Sequence, residues 1–317
     1  MPSIATVTMN PAIDLAAVAE RVLPEHKTRC RDLVRFPGGG GINVSRALVR
    51  LGGESAAIYP MGGPGGDLLE RLLTREKIQP RVPIPIDGHT RESLTVTEEA
   101  SGLQWRFSLP GPRLRESEWR QCLTAIGELD PHPEYVVLSG SLPPGVPADF
   151  YARVSRQGQA QGHRVIVDAS GEALREASRA GVYLLKPNLR ELSHLVERKL
   201  RNEEEQEEAA REICRHRRAQ AVVVSLGAAG ALLVTEKETR RLRSPTVPIG
   251  SRVGAGDSMV AGIVLALSRG ASLPVATAHG VAAGAAAVMT PGTELCHHDD
   301  YAELLRIILR EAGLEDA

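Results

Sequence analysis

The chain has 317 residues, 42% of them hydrophobic and 24% charged, with a formal net charge of −1. That length accommodates a sizeable core, as two domains or one large α/β domain. The near-neutral charge excludes a bulk pull toward nucleic acid or an anionic membrane, so any phosphate has to be held by local sites. Cys30, Cys122, Cys214 and Cys296 are too dispersed for a CxxC pair or a disulfide framework, and read as reduced thiols of a cytoplasmic protein.

Asp14 interrupts the only apolar stretch near the start, so no signal segment is read there. Pro37-Gly38-Gly39-Gly40-Gly41 precedes a helix whose Val44, Ala47, Leu48 and Leu51 recur at i, i+3, i+4 and i+7. Between Ser93 and Leu109, Leu94, Val96, Leu103, Trp105, Phe107 and Leu109 tend to alternate around Ser101-Gly102, which predicts an antiparallel hairpin with one apolar face. Two strands alone are marginal in water. The hairpin must therefore pack on something, and residues of about 12 to 36 are expected to supply companion strands. The result is a small antiparallel β lid, drawn from about 12–36 and 84–110 of a single domain spanning 1–317.

A repeated unit follows. Tyr135–Leu138, Val165–Val167, Tyr183–Leu185 and Ala221–Val224 are short apolar runs, each followed at once by a polar or glycine-rich loop and then a helix-like stretch. Such runs alternating with helices predict parallel strands buried on both faces. The residues of chemical interest fall just after the strands, the edge where open α/β sheets bind ligands. Glu203–Glu208 reads as a solvated helix face, with Glu207 and Arg211 spaced i,i+4. Val253–Ser258 opens a helix with an apolar stripe from Met259 to Leu267. Gly280–Met289 reads as a buried helix, and no apolar run is long enough for a membrane span. His297-His298-Asp299-Asp300 resembles a metal cluster, but Asp300 as a helix cap with Glu303 completing a capping box is the preferred reading.

Four consecutive glycines let backbone approach a ligand, and the following helix would aim free N–H groups at it. The run fits neither GxxxxGK[ST] nor GxGxxG. Gly254, Ala255 and Gly256 would expose amides suited to a transferring phosphoryl group. Asp257 beside them could accept a hydroxyl proton. Lys186 and Asn188 suit nucleotide phosphates, and Glu191 could hold Mg²⁺ through water. Small residues from Ser225 to Gly230 could let backbone touch a nucleotide. Lys27, Arg29 and Arg91 could bind a terminal phosphate. Alone, each motif also fits a plainer role: a flexible turn, a helix cap at Asp257, an ordinary loop, surface charge.

Taken together, the motifs resemble the ribokinase-like, pfkB-type carbohydrate kinases from about Ile4 to Asp300. The resemblance rests on GGGGINVSRAL at Gly38–Leu48 and VGAGDSMVAG at Val253–Gly262. SGSLPPG at Ser139, VDASGEAL at Val167, KPN at Lys186, VVSLGAAGA at Val223 and GTELCHHDD at Gly292 add to it. The four-glycine form and the Cys30, Arg91 and Cys296–Asp300 contexts favour the branch of minor-isozyme bacterial 6-phosphofructokinases. The resemblance implies a three-layer α/β/α fold, a mostly parallel sheet, and a homodimer paired through the lids. It implies transfer of the ATP γ-phosphoryl group to O1 of fructose 6-phosphate, a glycolytic step. By carry-over Asp257 is the base, and Gly254, Ala255 and Gly256 form the anion hole. Asp14, Gly39, Gly40 and Asn43 hold sugar hydroxyls, and Lys27, Arg91 and Ser139 position the sugar phosphate. Lys186, Asn188, Ser225, Gly227 and Gly230 contact ATP, and Glu191 organises Mg²⁺. Ser251, Val253, Ala287, Thr290, Gly292 and Glu294 match the positions at which some relatives bind a monovalent cation such as K⁺.

One departure bears on substrate. Thr8-Met9-Asn10-Pro11-Ala12-Ile13-Asp14 looks more like the 1-phosphofructokinase and tagatose-6-phosphate kinase branches. Two readings from other classes are a nicotinamide-dependent oxidoreductase, against which the missing GxGxxG counts, and a non-catalytic sugar-phosphate sensor, against which Asp257 and both glycine loops count.

Overall fold

The computed structural model describes residues 3–130 and 132–315. Its strands are β1 (Ile4–Val7), β2 (Ala12–Ala19), β3 (Arg31–Gly38), β4 (Ala56–Met61), β5 (Arg81–Pro85), β6 (Arg91–Glu98) and β7 (Gln104–Ser108). They continue with β8 (Tyr135–Ser139), β9 (Arg164–Asp168), β10 (Val182–Leu185), β11 (Ala219–Ser225), β12 (Ala231–Thr235) and β13 (Thr239–Leu242). The helices are α1 (Gly40–Arg50), α2 (Gly63–Arg75), α3 (Glu116–Gly127), α4 (Phe150–Ala160) and α5 (Gly171–Ala180). After these come α6 (Leu189–Leu195), α7 (Glu203–Arg215), α8 (Ala255–Ser268), α9 (Leu273–Met289) and α10 (His298–Ala312).

Nine strands form one sheet in the order β13-β12-β11-β10-β9-β8-β1-β4-β5. All neighbours are parallel except β11–β12 and β12–β13. The apolar runs alternate between two cores. Tyr135, Val137, Ile166, Leu184 and Val223 pack under α1, α8, α9 and α10. Val136, Leu138, Val167, Val222 and Val224 pack on the other face with residues of α3, α4, α5, α6 and α7. Strands buried on both faces, layered between helices, are what the continuous apolar runs require. Gly280–Met289 lies within α9 and is largely buried against α8 and α10. No helix among the described residues is long and apolar enough to cross a membrane.

The second sheet has the order β3-β2-β6-β7. Its outer pairs, β2–β3 and β6–β7, are antiparallel, and the β2–β6 pair at its centre is parallel. Register sorts its side chains by face. Leu15, Leu94 and Phe107 lie in one row, and Ala17, Val96 and Trp105 in the next. On the opposite face the rows are Asp14, Ser93 and Ser108, then Ala16, Thr95 and Arg106. The first residues of the 84–110 lid segment belong elsewhere: Ile84 and Pro85 pair with Pro60 and Met61 and finish the edge strand β5.

Two local expectations are corrected. His297, not Asp300, stands at the start of α10, and its side chain makes no capping bond; Asp299 and Asp300 fall inside the first turn, where negative charge favours the helix dipole. Glu207 and Arg211 do not pair with each other, because β13 beside α7 offers better partners. Arg241 Nε donates to Glu207 at 3.2 Å, and Arg211 donates to Thr239 Oγ1 at 2.7 Å.

Candidate active site

The strand order changes direction around β1, which has β8 on one side and β4 on the other. Open sheets leave a crevice at such a switch, beyond the carboxyl ends of the strands. The start of α1 is seated there. A Cβ added at Gly41 would lie 2.5 Å from Thr8 Oγ1 and 2.7 Å from the Val7 carbonyl, at the end of β1. One added at Gly40 would lie 2.7 Å from the Gly140 nitrogen, at the end of β8, and would strike Ser139 Oγ. Glycine is therefore what lets α1 enter the fork. Gly39, with φ of 107°, turns the chain into the helix.

The start of α8 faces this point. Gly254 adopts the left-handed conformation (φ 78°) as the N-cap, and a side chain there would strike Leu295. Asp257 is the third residue of α8 but makes no capping bond. Its Oδ2 instead accepts a hydrogen bond from Asn43 Nδ2 at 2.9 Å. The amides of Ala255, Gly256 and Asp257 have no acceptor among the described residues, as the first turn of a helix leaves them. Gly256 is open: an added Cβ would come no closer than 3.6 Å to Lys186 Nζ and 3.9 Å to Asp168 Oδ2.

Charged groups packed around the cleft set the electrostatics. Burial pushes the Asp257 carboxyl up to about 7; repulsion from Asp168 adds to this, while the Asn43 hydrogen bond and Lys186 pull it down. Burial works against the Lys186 cation, but Asp168 Oδ1 at 3.1 Å, with Glu191 and Asp257 nearby, outweighs it and leaves the ammonium held above its usual range. Burial also raises Asp14, against the pull of Arg46, Arg91 and Arg106.

Asp14, Gly39, Asn43, Arg91, Ser93, Arg106, Val253, Gly254, Asp257 and Thr293 line one cleft of about 200 Å³ between the lid and the large sheet. Arg91 is fixed at its rim by donating to Ser93 Oγ, Ser108 Oγ and the Leu109 and Asn10 carbonyls. Ser139 is buried beneath Gly40 rather than in the cleft wall. Lys27 is exposed on the outer loop between β2 and β3. Asn188 and Glu191 form a reciprocal capping box at α6, and Ser225 bridges to Asn188. Gly227 lies in an open turn, whereas a Cβ at Gly230 would strike the Leu242 carbonyl. Ser251 and Val253 lie on the loop before α8, Ala287 in the last turn of α9, and Thr290, Gly292 and Glu294 on the loop after it; Gly250 and Ser251 amides donating to the Val288 carbonyl tie the two segments. A larger groove, about 830 Å³, opens at the amino ends of β9, β10 and β11, away from every motif.

Sequence reasoning missed Asp168 and Arg106. Asp168 ends β9 at the level that drew attention to Lys186. Arg106 sits between Gln104 and Ser108 on the polar face of the hairpin, where strict alternation marks it.

The profile of the pfkB carbohydrate kinases matches residues 3–300. The chain belongs to the pfkB family. Within that family it is 47% identical to an ATP-dependent 6-phosphofructokinase isozyme 2 of Mycobacterium tuberculosis H37Rv, over 94% of this chain and 88% of the relative. A 1-phosphofructokinase of Bacillus subtilis is 31% identical over 91% of this chain and 94% of its own. The crystal structure of Escherichia coli phosphofructokinase-2 in complex with potassium superposes with a TM-score of 0.93 at 44% identity, covering 97% of this chain and 99% of the other. As a pfkB kinase the chain is a phosphotransferase acting on a sugar, and the three-layer fold with its small lid is that of the family. The oxidoreductase reading falls with this assignment.

Proposed function

We propose that the chain transfers the γ-phosphoryl group of ATP to O1 of fructose 6-phosphate, giving fructose 1,6-bisphosphate and ADP. The observation that carries this reading is a buried carboxyl, raised to about 7, beside three unpaired helix amides and across one cleft from Arg91 and Arg106. In its ionised form Asp257 takes the proton of the attacking hydroxyl as the new O–P bond forms. The amides of Ala255, Gly256 and Asp257, with Lys186 alongside, receive charge on the transferring group. Asp14 and Asn43, with backbone at Gly39 and Gly40, hold sugar hydroxyls. Arg91 and Arg106 face the sugar phosphate, for which bidentate guanidinium contacts are suited.

ATP would lie along the ends of β10 and β11, against Asn188, Ser225 and Gly227, with Gly230 shaping the turn. Mg²⁺ asks for one or two carboxylates plus phosphates and water. Asp168 and Glu191, which interact electrostatically, meet that requirement, and the ion would neutralise phosphate charge there. For a monovalent cation, the Ser251–Val253 loop and the segment from Ala287 in the last turn of α9 to Glu294 are the site, supported by the potassium complex of the E. coli relative. The Ala287 carbonyl there already accepts from Thr290 Oγ1 at 3.0 Å.

The outer lid face exposes Leu33, Leu103, Trp105, Phe107 and Leu109, between 41% and 60% accessible. A second copy covering this face makes a lid-to-lid homodimer. The second substrate reading is fructose 1-phosphate or tagatose 6-phosphate, favoured by Thr8–Asp14 and by the B. subtilis relative. A coupled ADP-release assay across fructose 6-phosphate, fructose 1-phosphate, tagatose 6-phosphate and free sugars decides between them. A higher kcat/KM for either alternative would displace fructose 6-phosphate.

A further inference from the structure

Arg46 is 0% exposed, one turn beyond Asn43 on α1. One guanidinium nitrogen donates to Asn43 Oδ1 and to the Pro37 carbonyl, both at 3.2 Å. The other donates to Glu76 Oε1 at 3.1 Å, and the guanidinium stacks 5.3 Å from the centre of the Phe36 ring. A buried Arg–Glu pair is weak grounds for stability, since apolar residues of similar volume often do as well or better. The geometry supplies another reason for an arginine. A guanidinium only donates, so the atom of Asn43 facing it must be the carbonyl oxygen. The NH₂ group is then left facing Asp257, to which it donates at 2.9 Å.

We propose that Arg46 is a positioning residue that locks the Asn43 amide in the orientation in which its NH₂ group points at the catalytic carboxylate. This rests on the reading of Asp257 as base. Asp257 is faced by Asp168 from β9, Lys186 after β10 and Asp14 from β2, and Arg46 by Glu76 beyond α2, by Arg50 on α1 and by Asp14. Without Arg46 the amide is free to turn its oxygen toward Asp257, and the base protonates at higher pH. Losing the arginine also lets Asp14 take up a proton more readily, which acts the opposite way. Asn43→Ala leaves Arg46 facing Asp14 and so isolates the amide's effect.

The test is the acid limb of kcat against pH, at saturating fructose 6-phosphate and Mg-ATP, for Arg46→Met, Arg46→Lys, Asn43→Ala and the Arg46→Met/Asn43→Ala double variant. The limb moves up by roughly 0.4 to 1 pH unit in Asn43→Ala and Arg46→Met, the worth of one hydrogen bond. The double variant moves no further than Asn43→Ala, and Arg46→Lys recovers part of the shift. Additive shifts, or lower thermal stability with the limb in place, make Arg46 merely structural and overturn the proposal. If Arg46→Met fails to fold, an unmoved limb in Asn43→Ala overturns it alone. Asp257→Asn separates the two claims. If that variant keeps its turnover, the base assignment and the proposal fall together. If it loses turnover while the limbs stay put, only the positioning role falls.

Discussion

At Gly39 and Gly41 an added methyl would meet Thr8 at 2.6 and 2.5 Å, and at Gly38 it would strike the Asp14 carboxyl; at Gly256 it would meet nothing nearer than 3.6 Å. The first turn uses glycine because protein already fills the space. The second turn is packed in the same way at Gly254, against Leu295, but at Gly256 it uses glycine where space is left open beside Lys186 and Asp168. A glycine-rich segment in sequence therefore carries two different meanings, close packing or a place for a ligand, and only the neighbours tell them apart.

The predictions press on that contrast. Asp257→Asn keeps the fold and lowers turnover by roughly 10²–10⁴-fold in steady-state assays, the usual range for a general base. The same variant gains stability relative to the parent as pH rises from 3.8 toward about 7. Over that window the parent's native carboxyl holds a proton that its unfolded chain has released, so the parent loses stability and the asparagine does not; melting at stepped pH measures it. Gly256→Ala should cost about 10²-fold in kcat, by displacing the phosphoryl group from the amides, with thermal stability retained. Arg91→Ala should raise the KM for the sugar phosphate about 10-fold or more, the worth of a charge-assisted hydrogen bond, with a smaller effect on kcat. Gly41→Ala should cost roughly 1–3 kcal/mol of stability through overpacking against Val7 and Thr8, measured by denaturant unfolding. Equal stability losses at Gly41 and Gly256 would erase the contrast.

Much of the large sheet was legible because buried parallel strands carry their signal locally, as in Val165–Val167 and Ala221–Val224. Asp257 was legible through the glycines before it. Arg106 was not, because a lone arginine in a hairpin reads as surface charge until register places it in a row with Thr95 and Ala16. Asp168 was hidden in the same way: only the pairing of β9 with β10 sets it beside Lys186. The partners of Glu207 and Arg211 on α7 and the true start of α10 escaped too, since they depend on β13 and on where the chain enters the helix.

The parallel pairing at the centre of the lid has a mechanical result. Ala12 sits opposite Arg91 and Asp14 opposite Ser93, so the carboxylate and the guanidinium hang from the same end of one stiff ribbon. With Asp14 and Arg91 in the sugar-holding and phosphate-holding roles proposed above, lifting that ribbon would withdraw both grips in a single stroke. Release of product then becomes one event for both ends of the molecule.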